Sequence, residues 1–174
     1  MTTLRAFRYV DDMLIILQYK RNKRYLAERV ASKLMSCYHK CMEMNTEQFD
    51  KTVNFLEYKI SIKDNGITMG HLCKNEEHFL QTGFLKFMKL PEATSFTPKK
   101  QKRGIIIGTF CRVRRHCSDL TTLTLAMEQT CTEMMLCGYA KKILTDALEF
   151  MYQKTKEEIW QLMKKLPIFG RVTS

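Results

Sequence analysis

LRAFRYVDDMLIIL, at residues 4–17, is the stretch that decides the first part of the fold. The apolar run at 13–17 is typical of a strand, so the Asp11-Asp12 pair between two apolar segments predicts a β-hairpin with both carboxylates at its tip. Adjacent carboxylates in an apolar setting repel each other unless a divalent cation compensates their charge. The stretch therefore predicts a metal-binding hairpin. The alternative is an ordinary tight turn, in which Asp is common.

A helix and a second hairpin are predicted next. From Asn22, a plausible N-cap, apolar residues recur every four positions, which predicts an amphipathic helix of about five turns over 23–44. These apolar positions are Leu26, Val30, Leu34, Tyr38 and Met42. Residues 52–62 are β-rich, and Asp64-Asn65-Gly66 suits the tight turn into a returning strand at 67–72. This order predicts an α+β layer, with a helix packed on antiparallel hairpins.

The second half of the chain predicts a small helical bundle. Three apolar stripes carry this prediction. They are Ile106, Phe110, Val113 and Cys117; Leu120, Leu123, Met127, Cys131 and Met134; and Leu144, Ala147, Leu148 and Met151. Ser118 or Asp119 is expected to cap the second helix, and Gly138 to end it. A capping box at 155–158 predicts a separate last helix with Trp160, Met163 and Leu166 inward, ending before Pro167.

The basic residues are concentrated in one segment. The chain has a formal net charge of +11, and residues 86–117 hold nine Lys or Arg against the single acid Glu92. The nine are Lys86, Lys89, Lys99, Lys100, Lys102, Arg103, Arg112, Arg114 and Arg115. Such a cluster favours binding to a phosphate backbone, with strong salt dependence. The alternative is a solvated face that aids solubility.

The remaining composition limits the class of protein. Seven cysteines, an odd number, lie mostly in helix-like patterns and are expected to be reduced, and Cys37 and Cys41 are expected to pack rather than to bind zinc. No apolar run approaches the length of a membrane span, and the first residues lack the order of a signal peptide. We therefore expect an intracellular protein, in the cytoplasm or nucleus, with no membrane partner.

Several motifs in this order resemble a reverse transcriptase of the retroelement type, and the Penelope-like group most. The aromatic-x-Asp-Asp string at 9–12 is similar to the palm motif, and the helix at 23–44 to the palm helix that follows it. NFLEYKI at 54–60 is similar to the Phe-Leu-Asp-x-x-Ile strand, with Glu57 replacing the usual Asp. SFTPKK at 95–100 resembles the entry to the thumb, with Thr97 where His is common. The residues Gly108, Arg112, Arg114, Arg115, Cys117 and Ser118 resemble the family's Gly-x-x-x-Arg-x-Arg-Arg-x-Cys-Ser signature, and Cys137-Gly138-Tyr139 its Arg-Gly-Tyr.

The resemblance implies a partial palm over 1–85, a basic connection over 86–102 and a thumb-like helical bundle over 103–174. It implies RNA-templated DNA synthesis by two-metal phosphoryl transfer with two Mg²⁺ ions in the complete enzyme. Asp11 would be the main metal ligand and Asp12 the second. Tyr9 would lie beneath the primer terminus, and Val10 near the nascent base pair.

Other residues would contact the primer-template duplex of RNA and DNA. Phe55, Leu56 and Gly66 would belong to a primer-grip-like hairpin. Phosphate contacts would come from the basic segment, through Lys99, Lys100, Lys102, Arg103, Arg112, Arg114 and Arg115.

Residues 1–8 contain no acid, so the third carboxylate of such a site is expected from another region, together with the fingers. We therefore expect the isolated chain not to polymerise DNA, and a palm and fingers region to be its possible partner. Two alternatives are a non-catalytic nucleic-acid-binding protein derived from a retroelement, and a structural or interaction protein that does not bind nucleic acid.

Overall fold

The computed structural model describes residues 3–18, 25–37, 51–64 and 66–170. The chain is of mixed α+β type and divides into two compact units, Met1–Leu56 and Glu57–Ser174. The first unit contains β1 (Thr3–Tyr9), β2 (Asp12–Gln18), α1 (Tyr25–Ser36) and β3 (Thr52–Phe55). The second contains β4 (Tyr58–Lys63), β5 (Gly66–His71), α2 (Glu76–Thr82), α3 (Lys99–His116), α4 (Leu120–Leu136), α5 (Lys141–Thr155), α6 (Glu158–Met163) and a short 3-10 helix (Pro167–Phe169).

The first predicted hairpin is confirmed. β1 and β2 pair antiparallel from Thr3 opposite Gln18 to Tyr9 opposite Asp12, which leaves a two-residue turn at the tip. The helix after it is confirmed over α1, where Leu26, Val30 and Leu34 are half-buried. The predicted N-cap and the apolar positions beyond residue 37 lie outside the described residues.

The second hairpin is also confirmed, although its first strand is interrupted. β4 and β5 pair antiparallel from Tyr58 opposite His71 to Lys63 opposite Gly66. Residues 52–62 do not form one strand, because Leu56 adopts a φ of 57° at the bend between β3 and β4. Gly66 has a φ of 127°, a conformation that glycine adopts without the steric cost of a side chain.

The β4–β5 hairpin belongs to the helical unit. The N–H of Ser118, at the junction of α3 and α4, donates to the carbonyl of Met69 at 2.9 Å, and the N–H of Met69 donates to Ser118 Oγ at 3.0 Å. Ile60 is buried on the same hairpin. The hairpin thus lies in the second unit, whereas the sequence placed it in the region 1–85, because bonds between distant residues leave no local sequence pattern.

The helical core matches the predicted stripes closely. Ile106, Phe110 and Val113 of α3 are buried, and so are Leu144, Ala147, Leu148 and Met151 of α5. The stripe of α4 is confirmed from Leu123 to Met134, whereas Leu120 is exposed in its first turn. α3 begins at Lys99, directly after Pro98, so its first turn occupies the end of the predicted 86–102 connection.

Two predicted caps are confirmed and one is wrong. Asp119 Oδ1 accepts a bond from the N–H of Thr122 at 2.9 Å at the start of α4, and Gly138 ends this helix with a φ of 87°. Thr155 does not cap α6, because it is the last residue of α5 and the N-cap of α6 is Glu157, whose side chain makes no capping bond. Trp160 of α6 is buried as predicted.

Candidate metal-binding hairpin and nucleic-acid-binding surface

The Asp pair lies at a turn whose backbone is strained. Val10 and Asp11 form the two turn residues between Tyr9 and Asp12, and Val10 has a φ of 54°. A positive φ at the first residue of a two-residue hairpin turn is normally adopted by glycine, asparagine or aspartate. A β-branched residue in this region costs on the order of 1–3 kcal/mol. Arg8 Nε holds the turn by donating to the carbonyl of Val10 at 2.9 Å.

All four residues of the motif are on the surface of the first unit. Tyr9 is 61% exposed and Val10 72%, and Asp11 and Asp12 are exposed as well. The expectation that an apolar setting surrounds the carboxylates was therefore wrong, since water can solvate both. A cation that approaches this turn meets two hydrated carboxylates, and it does not have to enter a protein interior to reach them.

The donor chemistry of this turn suits magnesium in part. Asp11 and Asp12 offer the oxygen ligands that Mg²⁺ prefers, and Mg²⁺ usually keeps several waters and uses only one or two carboxylates. Within residues 3–18, 25–37, 51–64 and 66–170, no three His, Cys, Asp or Glu side chains form a group that could hold a metal. The turn thus supplies two ligands of a possible site.

The three predicted primer-grip residues do not belong to one unit. Phe55 ends β3, and Leu56 follows it at the bend; both are half-buried in the first unit. Gly66 is exposed at the turn of the β4–β5 hairpin in the second unit. The expected hairpin from Phe55 to Leu72 is thus divided between the two units.

Four of the predicted phosphate-binding residues are free at the surface of α3. Lys99 and Lys100 are exposed in its first turn, and Arg114 and Arg115 in its last. None of the four forms an ion pair with any residue that the structure describes. They can therefore reach an external phosphate without breaking an internal bond.

The other three predicted residues already have partners. Lys102 is half-buried, and its ammonium donates to the carbonyls of Ala93 and Ser95 at 2.6 Å each, so in the structure it holds the loop before α3. Arg103 lies 4.5 Å from the centroid of the Phe150 ring. Arg112 pairs with Glu57 at 3.5 Å, an exposed pair that contributes little to stability.

A pair of histidines joins β5 to the end of α3 and was not predicted. The Nδ1 atoms of His71 and His116 lie 3.0 Å apart, and the ring of Tyr58 lies 4.4 Å from that of His116. Burial and the neighbouring imidazole lower the pKa of His71 from 6.5 to about 4. Burial also lowers the pKa of His116. No short motif signals this pair, because 45 residues separate its members.

A buried polar cluster was missed for the same reason. Asn75 is buried, and its Nδ2 donates to Glu133 Oε1 at 2.6 Å. Lys89 Nζ lies 4.0 Å from the same oxygen, which offsets the cost of burying a carboxylate. Burial, with the nearby Glu133 carboxylate, raises the pKa of the Cys73 thiol to about 12. This thiol is therefore a core group without the properties of a nucleophile.

Comparison with known proteins adds no relative. No protein-family model matches the chain, and neither a characterised protein nor a solved structure matches it significantly. Among the described residues, no helix has the length and hydropathy needed to cross a membrane.

Proposed function

We propose that this chain is the palm and thumb part of a reverse transcriptase, which takes part in RNA-templated DNA synthesis by two-metal phosphoryl transfer. The observation that carries the proposal is the turn at Val10 and Asp11. It combines an aromatic-x-Asp-Asp string with an antiparallel hairpin, exposed carboxylates and a strained valine. Strained residues that persist in a turn are common where function fixes the backbone.

The basic helix supports the proposal independently. Lys99, Lys100, Arg114 and Arg115 are exposed on α3, whose apolar side is held in the core by Ile106, Phe110 and Val113. A rigid helix that presents unpaired cations suits contacts with the phosphates of a duplex. About four such contacts would weaken binding roughly 100-fold between 50 and 200 mM salt.

In the proposed site, Asp11 and Asp12 would hold Mg²⁺ at the primer terminus, and Tyr9 and Val10 would contact the terminus and the new base pair. The bound ions supply activation of the primer hydroxyl and neutralisation of phosphate charge. Because residues 1–8 have no acid, the third carboxylate of this site would come from another segment.

Iron-mediated cleavage tests the metal site without requiring catalysis. The chain is mixed with a labelled primer on an RNA template, Fe²⁺ replaces Mg²⁺, and peroxide with ascorbate produces radicals at the bound ion. We expect strand breaks concentrated next to the primer terminus, because the Asp pair would hold the ion there. The matched variant Asp11→Asn/Asp12→Asn should keep duplex affinity and lose these breaks.

The alternatives give different results in the same experiment. Salt-dependent binding without localised breaks would favour a non-catalytic nucleic-acid-binding protein, which the exposed cations of α3 also support. Absence of salt-dependent binding would exclude both. Primer extension on the RNA template with magnesium, compared with Asp11→Asn, tests the separate expectation of inactivity, and extension that depends on Asp11 would contradict it.

A further inference from the structure

Three phenylalanine rings are exposed in the segment that connects α2 to α3. Phe84 is 73% exposed, Phe87 49%, and Phe96 fully. Burying a Phe side chain is worth about 1.5–3 kcal/mol, so each of these three rings, which lie within thirteen positions of the sequence (84–96), would gain by stacking on a partner. We call Phe84, Phe87 and Phe96 the phenylalanine platform.

The backbone under Phe87 is held by a buried side chain. Asn75 Nδ2 donates to the carbonyl of Phe87, and Asn75 Oδ1 accepts from the N–H of Phe87, both at 2.9 Å. Asn75 is 1% exposed and is itself fixed by its bond to Glu133. The ring of Phe87 is therefore exposed even though two hydrogen bonds hold the backbone that carries it.

The loop before Phe96 is fixed in a similar way. The ammonium of Lys102 donates to the carbonyls of Ala93 and Ser95, which closely precede Phe96 in the chain. The N–H of Ala93 donates to the carbonyl of Cys137 at 2.9 Å, which connects this loop to the end of α4. Phe96 is thus presented to solvent by a backbone that three hydrogen bonds attach to the core.

The charge of the same segment is almost entirely positive. Lys86, Lys99 and Lys100 are exposed around the platform residues in sequence, and Glu92 is the single acid from 86 to 102. Lys86 Nζ already lies 5.4 Å from the centroid of the Phe87 ring. Exposed aromatic rings interleaved with lysines are the pattern by which proteins bind single strands, since rings stack on bases and ammonium groups bind phosphates.

We propose that residues 84–100 bind an unpaired strand of RNA or DNA, with bases stacked on the phenylalanine platform and phosphates on Lys86, Lys99 and Lys100. This inference rests on the proposed function for its ligand class, nucleic acid, and does not involve the Asp pair. It shares Lys99 and Lys100 with the duplex contacts proposed for α3, and it adds Lys86 and the three rings as a site for unpaired bases. A membrane or protein partner would bury the same rings without requiring bases.

Fluorescence anisotropy tests the proposal with the full chain and labelled single-stranded 16-mers of RNA and of DNA. Phe96→Ala and Phe96→Leu should weaken single-strand binding about 5- to 150-fold, which corresponds to the usual loss of one base stack. Phe96→Trp should keep the affinity, because tryptophan also stacks. The ring of Phe96 is fully exposed, so all three variants should keep the melting temperature.

A double-mutant cycle, in which Phe96 and the bases of the strand are removed separately and together, isolates the contribution of stacking. Replacing bases of the 16-mer with abasic positions should weaken wild-type binding and remove most of the effect of Phe96→Ala. The matched control is Leu125→Ala, which truncates a leucine on α4 that is 54% exposed, and it should leave the affinity unchanged. The Fe²⁺ cleavage experiment reports on the Asp pair separately, so failure of the proposed metal site and failure of this proposal would be distinguished.

Three results would overturn the proposal. One is single-strand affinity unchanged by both Phe96→Ala and Phe84→Ala. The second is an equal loss with intact and abasic strands, which would mean that the rings do not contact bases. The third is unchanged strand binding while Phe96→Ala abolishes self-association in sedimentation or binding to anionic vesicles, which would assign the platform to a second copy of the chain or to a membrane.

Discussion

The β1–β2 hairpin and the α3–α5 bundle have similarly apolar sequences and very different burial. Residues 13–17 of β2 are all apolar, yet all are half-buried, and no residue of the first unit whose burial is described is fully buried. In the bundle, Phe110, Val113, Leu144 and Leu148 have no exposed surface. An apolar pattern therefore becomes a core only where another layer covers it, and a two-stranded hairpin by itself is marginally stable.

The two regions also differ in what they present to solvent. The hairpin presents the Asp pair on a strained turn, whereas the bundle presents cations from a well-packed helix. Sites that must admit a ligand are often in parts of low local stability. The comparison predicts that substitutions in the bundle affect stability, and that substitutions at the hairpin tip affect local backbone motion.

The largest effect is expected from Phe110→Ala in α3. Phe110 is completely buried, so its truncation should lower the free energy of unfolding of the second unit by about 3–5 kcal/mol. Phe7→Ala, on the half-exposed side of β1, is the matched change and should cost about 0.5 kcal/mol or less. Hydrogen exchange of amides in each unit measures both values. Equal losses would mean that the hairpin has a core of its own.

An intermediate loss of folding stability is expected when acid protonates His71, at the contact between β5 and α3. The folded pKa of His71, at about 4, lies below its unfolded value of 6.5, so its contribution to stability is present above pH 6.5 and is lost as pH falls through 4. Glu57 opposes this shift, while Arg112 and His116 add to it. Urea titrations followed by Trp160 fluorescence, at a series of pH values, should therefore show stability falling below pH 6.5. The variant His71→Gln should flatten this dependence, and an unchanged slope would contradict the assignment.

The smallest effect is expected at the strained turn. Val10→Gly should stabilise the β1–β2 hairpin by about 0.5–1 kcal/mol, because glycine accepts the φ of 54° without a side-chain clash. Slower hydrogen exchange of the amides in residues 3–18 would report this gain. The control Val10→Ile keeps the β-branched side chain and should give no gain. Exchange that is equal in wild type and Val10→Gly would show that the turn stores no strain.

Sequence patterns predicted the local elements well and the long-range contacts poorly. The pattern of apolar residues along the sequence predicted both hairpins and the apolar stripes of α3 and α5, since these depend on residues a few positions apart. The helix α2 was missed because it has seven residues and none is buried. Lys102 was assigned to phosphate because its charge is visible in the sequence, whereas its two carbonyl partners are not.

The sequence by itself determined the order of hairpins and helices, the tip position of Asp11 and Asp12, and the concentration of positive charge before and along α3. Tertiary structure alone decided that the Asp pair is exposed, that the chain divides after Leu56, and which cations remain free. The reason is physical. Backbone conformation follows from residues within a few positions, whereas exposure and pairing depend on which surfaces meet, and these surfaces come from distant parts of the chain.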